Sequence, residues 1–275
     1  MRAVPTRLSP LVRRLTAPNP SPMTGAGTNT YLVGVDEVAV IDPGPDDPKH
    51  LGRIIDALGG VRIRWVMLTH THPDHALGAP RLARQTRAPV LAYAADDVAA
   101  GSATRADRRL ADGEAVEGKG FTLEAIHTPG HASDHFSFLL REESALFSGD
   151  LIMSGSTVVI APPDGDMTAY MRSLESVQAL RIARIYPGHG DPIDAPKGVI
   201  DEYIQHRQMR ERQILEALRD APRRIDDLVA SIYAEAPRGL HRMAALSVYA
   251  HLLKLRAEGR VAGSDRHAEW ALVER

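Results

Sequence analysis

The chain has 275 residues, 44% of them hydrophobic, which allows one large domain or a medium domain with a small one appended. Its formal net charge of −2 gives no overall signature of nucleic-acid binding, and the absence of cysteine excludes disulfides, thiolate metal ligands and a cysteine nucleophile. No apolar run approaches the ~18 residues of a membrane span or forms the core of a signal peptide, so we expect an untargeted cytoplasmic protein.

The N-terminal half of the chain alternates strand-like and helix-like patterns. Apolar runs predict strands over 11–15, 31–33, 38–41, 65–68 and 89–93. A helix is predicted over 48–59, where apolar residues recur at helical spacing before two glycines. This strand–helix–strand order indicates an α/β fold with a parallel or mixed sheet. Residues 94–120 are polar and are predicted to be mostly helix and loop.

Two short segments beside these strands allow two interpretations each. The glycines of 25–30 resemble a phosphate-binding loop, but no helix follows them, so a turn between strands is favoured. Asp42 ends the strand over 38–41. It is either a plain turn residue or a carboxylate that orients a metal-binding histidine by accepting its ring N–H.

The strand over 65–68 leads into His70-Thr71-His72-Pro73-Asp74-His75, which holds four potential metal ligands within six residues. His70 and His72 can point the same way and share one cation, while Asp74 and His75 can turn toward a second. Imidazole and carboxylate are ligands for zinc, and also for iron or manganese. The motif therefore predicts a metal site at the end of a strand, the usual place for a site in an α/β fold.

Three later loops each contribute one more candidate ligand. A strand over 121–126 leads to His131, and the tight turn before it, Pro129-Gly130, would place this histidine beside the first metal. Strands over 136–140 and 145–148 lead to Asp150, which is well placed to bridge two cations. A core helix over 166–180 and a strand over 182–186 lead to His189. His127 and His135 compete with His131, but we interpret them as core or supporting residues.

The C-terminal segment is predicted to be helical, over about 200–219, 225–232 and 241–258, followed by a short hairpin at Val261 and 270–273. Three helices and a hairpin resemble a winged helix, which suggests DNA binding. Acidic residues are mixed through the segment, so we expect it instead to pack beside the metal site. A basic cleft wall formed by Arg207, Arg210 and Arg212 would reconcile an RNA substrate with the overall charge.

Residues 29–190 resemble the metallo-β-lactamase superfamily, whose H-x-H-x-D-H motif is matched at His70–His75. The resemblance implies a four-layer αββα sandwich over residues 1–205 and a winged-helix-like domain over 206–275. It also implies a dinuclear zinc centre, with one metal bound by His70, His72 and His131, the other by Asp74, His75 and His189, and Asp150 bridging both.

Within the superfamily the chain resembles the β-lactamase-like protein 2 group. The matching stretches are 27–34, 127–131 with 134–135, 147–150, 185–190, 203–207 and 210–215. Members of that group include an endoribonuclease for single-stranded RNA and thioesterases of polyketide pathways. The resemblance carries over the fold and the metals but not one substrate.

The combined prediction is a dinuclear-zinc hydrolase that uses a metal-bridging hydroxide, oriented by Asp74 and Asp150, on an ester or thioester or on single-stranded RNA. Iron or manganese in place of zinc stays open. Two alternatives are a mononuclear-iron persulfide dioxygenase and a winged-helix DNA-binding regulator. We expect no membrane and no duplex DNA as partners, and the oligomeric state, with a homodimer as one option, is open. The preference for arginine over lysine is typical of a GC-rich bacterial genome.

Overall fold

The computed structural model describes residues 4–93 and 105–273. The chain divides into two units, which are described separately. The first unit comprises Met1–Thr128, Asp134–Thr157 and Leu180–Lys197, and the second comprises Pro129–Ser133, Val158–Ala179 and Gly198–Arg275.

Among the described residues, seven strands form the first sheet of the first unit, in the order of the chain. Strands β1 to β4 pair antiparallel and β4 to β7 pair parallel, so the sheet is mixed, as predicted. Their bounds are β1 (Thr6–Arg7), β2 (Val12–Thr16), β3 (Asn29–Val33), β4 (Glu37–Ile41), β5 (Arg62–Met67), β6 (Val90–Tyr93) and β7 (Arg108–Leu110).

Helices join the parallel strands of this sheet. Helix α1 (Pro48–Leu58) connects β4 to β5. It begins where the Asp47 carboxylate accepts a hydrogen bond from the Lys49 N–H at 2.8 Å, and it ends at Gly59, whose φ of 59° is left-handed. Helices α2 (Pro73–Ala76) and α3 (Ala79–Thr86) connect β5 to β6. The prediction of a helix over 48–59 is confirmed to within one residue.

Five strands form the second sheet, in the order β12-β11-β10-β9-β8, and only β11 and β12 pair parallel. The bounds are β8 (Ala115–Gly118), β9 (Phe121–His127), β10 (Phe136–Leu140), β11 (Ala145–Gly149) and β12 (Arg184–Pro187).

The prediction of mostly helix and loop for residues 94–120 misses two strands. Strands β7 and β8 lie within that range, and each stands at an edge of its sheet. Each strand buries a single apolar residue, Leu110 or Val116, so the polar residues around it hide the alternating pattern. Residues 94–104 of that prediction lie outside the described residues.

Two apolar layers hold the first unit together. One lies between the sheets and contains Tyr31 of β3 and Phe147 of β11, whose ring centroids are 5.1 Å apart in an edge-on arrangement. The other lies between the first sheet and the helices and contains Leu32 and Leu51. Because neighbouring residues of β3 face opposite layers, both sides of this sheet are buried. The ends of its strands are then the places left for polar chemistry.

The second unit contains four helices and a hairpin among its described residues. A common apolar core, including Leu228, Val248 and Trp270, joins the helices to the hairpin as in the predicted winged helix. The elements are α4 (Met167–Gln178), α5 (Pro196–Ala217, beginning in the first unit), α6 (Ile225–Ile232), α7 (His241–Ala257), β13 (Val261–Ala262) and β14 (Ala271–Leu272). In the described ranges no helix is long and apolar enough to cross a membrane. A cytoplasmic location stays a prediction.

Candidate metal centre

The local backbone of the histidine-rich motif separates its ligands into two pairs. His70 and His72 lie in the extended segment after β5, and His70 Nε2 is 3.0 Å from His72 Nδ1. Pro73 begins α2, so Asp74 and His75 lie in its first turn. The two pairs therefore leave the backbone in different conformations, as expected for ligands of two separate cations.

Four ligand atoms from three loops of the first unit form a close group, which we call the second-site cluster. His75 Nε2 lies 3.3 Å from His189 Nε2, 3.4 Å from Asp74 Oδ2 and 3.5 Å from Asp150 Oδ1. His189 Nε2 lies 3.4 Å from each of the same two carboxylate oxygens. The parallel pairing of β11 with β12 explains part of this arrangement, because the two strands deliver Asp150 and His189 at the same edge.

The spacing of the second-site cluster fits a bound cation. Ligands at ~2.0–2.1 Å from a tetrahedral zinc ion are about 3.3–3.4 Å from one another, close to all five distances. Direct charge-assisted hydrogen bonds between imidazolium and carboxylate would be shorter, about 2.7–2.9 Å. Gly188 keeps this space open, since a Cβ there would lie 2.7 Å from Asp150 Oδ1 and 2.8 Å from His75 Cε1. The donor atoms, their spacing and the space beside them suit a divalent metal.

Asp150 is also close to the other half of the motif. One nitrogen each from His70 and His75 and one oxygen of Asp150 all lie within 4.8 Å of one another. Asp150 thus faces histidines from both pairs, which is the position of a carboxylate that bridges two metals.

The buried carboxylate of Asp42 sets the proton positions of two histidines. Its Oδ2 accepts hydrogen bonds from the Thr69 hydroxyl at 2.7 Å and from His75 Nδ1 at 2.8 Å. Because the Thr69 hydroxyl donates to Asp42, it accepts from His70 Nδ1, 3.0 Å away. We assign the protons to Nδ1 of both rings, which leaves Nε2 of each with the lone pair that binds a metal. Of the two interpretations of Asp42, the structure favours the orienting role.

His135 supports Asp150 in a similar way. The backbone N–H of Asp150 donates to His135 Nε2 at 3.0 Å, so the ring proton is on Nδ1, which is 2.9 Å from the Thr128 hydroxyl. His127 instead stacks on Tyr93, with ring centroids 4.2 Å apart. These contacts agree with supporting and core interpretations of the two histidines.

Residues of β3 hold the loop of His189, a role that no sequence motif indicated. Asn29 Nδ2 donates to the carbonyls of Pro187 and Gly190 at 3.1 and 2.8 Å. The Tyr31 hydroxyl donates to the same Pro187 carbonyl at 2.7 Å. The available signals were an asparagine at the start of this strand and the match of residues 27–34 to the β-lactamase-like protein 2 group. The glycine-containing segment before β3 is a turn, as favoured, and its Thr28 hydroxyl donates to Asp74 Oδ2 at 3.1 Å.

The two carboxylates of the second-site cluster stabilise positive charge on the neighbouring histidines. Burial lowers the pKa of His75, but the carboxylates of Asp150 and Asp74 outweigh burial and raise it to about 9. The same two carboxylates raise the pKa of His189 to about 10, against the effect of burial. Burial would raise the pKa of Asp74, but the two imidazoles hold it below its usual value. A cation that binds here replaces these ring protons.

His70 differs from those two histidines. Burial and the neighbouring charge of His75 lower its pKa well below the usual value. Its ring is therefore neutral, the form that binds a metal without first losing a proton.

His131 lies in the second unit, after the turn at Pro129-Gly130. Its Nδ1 is 2.9 Å from the carbonyl of Val159. A carbonyl can only accept, so Nδ1 carries the proton and the lone pair is on Nε2. The assignment of His131 to the first metal, with His70 and His72, stays a prediction.

Two of the three arginines considered for a basic wall of the cleft turn into the helical unit. Arg207 is 2% exposed and donates to the carbonyl of Val158. Arg210 donates to the carbonyl of Ile232 at 3.2 Å and lies 4.2 Å from the centre of the Tyr233 ring. Sequence spacing alone did not reveal that these side chains turn into the helical unit. Arg212 is exposed.

Comparisons with known proteins agree with this geometry. The family model of the metallo-β-lactamase superfamily matches residues 23–189, and the model of the β-lactamase associated winged helix domain matches residues 225–270. The chain is 36% identical to the β-lactamase-like protein 2 homolog of Drosophila melanogaster over 271 residues, covering 93% of this chain and 91% of the relative.

Two further proteins are similar over most of the chain. The atrochrysone carboxyl ACP thioesterase of Aspergillus fumigatus is 36% identical over 224 residues, 78% of this chain and 67% of the relative. The crystal structure of a metallo-β-lactamase family protein from Thermus thermophilus superposes with a TM-score of 0.81 at 25% identity, covering 97% of this chain and 100% of that one.

Proposed function

The chain belongs to the metallo-β-lactamase superfamily and is a metal-dependent hydrolase; from that premise we propose that it uses two metals to hydrolyse an ester or thioester. The observation that carries the proposal is the second-site cluster, in which the Nε2 atoms of His75 and His189 lie at the spacing of metal co-ligands from each other and from the carboxylate oxygens of Asp74 and Asp150. The position of Asp150 beside His70 supports a second metal next to the first.

The seven predicted ligands divide between the two proposed metals as the superfamily resemblance implies. His70, His72 and His131 would hold one, Asp74, His75 and His189 the other, and Asp150 would bridge them. We propose zinc because imidazole and carboxylate donors at these spacings suit it, although iron and manganese use the same donors. The bound metals would supply Lewis acidity and a water of lowered pKa.

The side chains themselves orient the reacting groups. Asp74 is held by the Thr28 hydroxyl, and its side chain keeps 30% of its surface exposed, whereas that of Asp150 keeps 10%. Asp74 therefore presents a carboxylate toward solvent, where it can accept a hydrogen bond from the attacking water. The Asp150 carboxylate is less exposed, and its position is fixed because the Asp150 backbone N–H donates to His135. Attack by that water on the carbonyl carbon breaks the acyl–sulfur or acyl–oxygen bond and yields an acid and a thiol or alcohol.

The net charge of the chain and the positions of its arginines favour an acyl substrate over RNA. The net charge is −2, and Arg207 and Arg210 are turned into the helical unit instead of lining a basic surface. RNA binding depends strongly on such surfaces, because phosphates are bound mainly by exposed lysine and arginine. A relative that is named as an acyl-carrier-protein thioesterase supports the same choice.

Two basic side chains of the third helix of the winged helix are not available to duplex DNA. On α7, Lys254 is bound to Glu211 at 2.6 Å and to Glu258 at 2.7 Å, and His251 is 1% exposed. We therefore propose that this domain does not bind duplex DNA. Binding of a duplex with a steep dependence on salt would instead favour the regulator alternative.

The substrate proposal is tested with two probes, an S-acyl N-acetylcysteamine thioester and a fluorescent single-stranded RNA. We expect thioester turnover above the Asp150→Asn background and no cleavage of the RNA. RNA cleavage without thioester turnover would contradict the proposed acyl substrate but would still agree with a two-metal hydrolase. One iron per chain with neither activity would contradict both and favour the dioxygenase.

A further inference from the structure

A short segment of the second unit, Val158–Ile160, holds the predicted metal ligand His131. The Nδ1–H of His131 donates to the carbonyl of Val159, the middle residue of the segment, at 2.9 Å. This bond fixes both the tautomer and the direction of the ring, which are the properties that the partner of a metal-binding histidine controls. The position of the segment therefore decides the position of the ring.

Arg207 of α5 fixes one end of the segment. Its guanidinium donates to the carbonyl of Val158, and its Cζ lies 5.1 Å from the centre of the Tyr170 ring. The residue is 2% exposed, and its Nε has no hydrogen-bond partner among the described residues. No carboxylate contacts it in the ion pairs of the described chain. A buried charge without a carboxylate is costly, and an apolar side chain would fill the same volume at lower cost.

Ser247 of α7 fixes the other end. The backbone N–H of Ile160 donates to the Ser247 hydroxyl, with the atoms 3.4 Å apart, and both residues are buried. This bond is longer than that of His131 and is correspondingly weaker. The residue that binds His131 thus lies between two anchors, one on each of two helices of the second unit.

The turn before His131 is held by the same packing. A Cβ at Gly130 would lie 2.3 Å from the Cα of Tyr170, so this turn packs directly on the backbone of α4. The Ser173 hydroxyl donates to the carbonyl of Pro129 at 2.7 Å. Arg207 covers the ring of Tyr170 and binds Val158, so it supports His131 by two routes.

We propose that Arg207 and Ser247 are positioning residues for His131, and that the affinity for the metal that His131 binds depends on them. The proposal rests on the two-metal centre of the proposed function. It assigns the buried arginine a role other than RNA binding.

The test is a titration of chelator-stripped protein with Zn²⁺, followed by calorimetry, without any substrate. Wild type is expected to bind two ions, and His131→Ala provides the reference for loss of the first site. We expect Arg207→Met to weaken that site by about 10–100-fold and to leave the other site unchanged. Ser247→Ala should weaken the same site by a smaller factor, because its bond is longer.

A matched control and a second readout separate positioning from general damage. Arg219→Met removes an arginine beyond the end of α5 whose side chain is 67% exposed and bound only to Glu216, so it should bind both ions as wild type does. With Co²⁺ in place of Zn²⁺, the visible spectrum of Arg207→Met should change as that of His131→Ala does. A residue that merely stabilises the fold would shift the thermal midpoint without selecting one site.

If both Arg207→Met and Ser247→Ala bind two Zn²⁺ ions with the affinities of wild type, the inference is overturned. If Arg207→Met fails to fold, as judged by circular dichroism, Ser247→Ala alone decides. If wild type itself binds no metal, the proposed function fails, which is a different result from two intact sites in the variants.

Discussion

Asp150→Asn is expected to lose at least about 100-fold in turnover of the thioester probe and to bind fewer metal ions than wild type. The substitution keeps the volume of the side chain and the bond from the Asp150 backbone to His135, because that bond does not involve the carboxylate. It removes the negative oxygen that lies 3.5 Å from His75 Nε2 and 3.4 Å from His189 Nε2. Loss of an outer partner of a metal ligand already costs about 10–100-fold, so loss of a bridging ligand should cost more.

The matched control for this variant is Asp191→Asn. Asp191 lies close along the chain to His189, but its side chain is 85% exposed and is paired only with Arg14. An exposed pair of this kind contributes little, so its activity and metal content should match wild type. Wild-type turnover with two metals in Asp150→Asn would contradict the bridging role.

Asp42→Asn is expected to weaken metal binding by about 10–100-fold although Asp42 itself is no ligand. An asparagine keeps the backbone at its φ of 50°, which asparagine tolerates nearly as well as aspartate. It cannot accept at both oxygen positions, and the Oδ2 position serves both Thr69 and His75. An amide NH₂ at the Oδ2 position would face the His75 Nδ1–H, and one at the Oδ1 position would face the Thr69 backbone N–H, which is 2.8 Å from Oδ1. Either orientation therefore disturbs the support of His75 or of the segment that carries His70. The measurement is zinc affinity of the folded variant.

The same variant should also be less stable, by roughly 1–3 kcal/mol, because a buried donor loses its acceptor. Asp36→Asn provides the control, since that carboxylate is exposed and bound to Lys119. Unchanged zinc affinity in Asp42→Asn, with the expected loss of stability, would show that the carboxylate only supports the fold.

The candidate metal ligands were predictable because several of them lie within one short motif of the sequence. Four candidate ligands within six residues indicate a cation site independently of the rest of the chain. The superfamily and fold class inferred from this motif and the later ligands are confirmed. The winged helix inferred from the C-terminal helices and hairpin is also confirmed. The grouping of His75 with His189 and Asp150 in space agrees with the predicted second metal, although binding itself stays a prediction. The domain boundary placed after residue 205 also stays a prediction.

The supporting residues were not predictable, because their partners are distant in the chain. The Tyr31 hydroxyl and the Pro187 carbonyl are separated by 156 positions, and no local pattern connects them. Helical spacing likewise did not reveal that Arg207 points inward, since a long basic side chain can extend to either side of a helix surface. The two strands missed near residues 105–120 fail for a related reason, because edge strands bury too few residues to show a period.

The most direct test of the two-metal hydrolase is to count the metal in protein purified without added metal and to follow thioester turnover through chelation and reconstitution. We expect two divalent ions per chain, loss of turnover when they are removed, and recovery when two equivalents of zinc are returned. Full turnover by metal-free protein would contradict the central claim, as would a chain that binds no more than one ion.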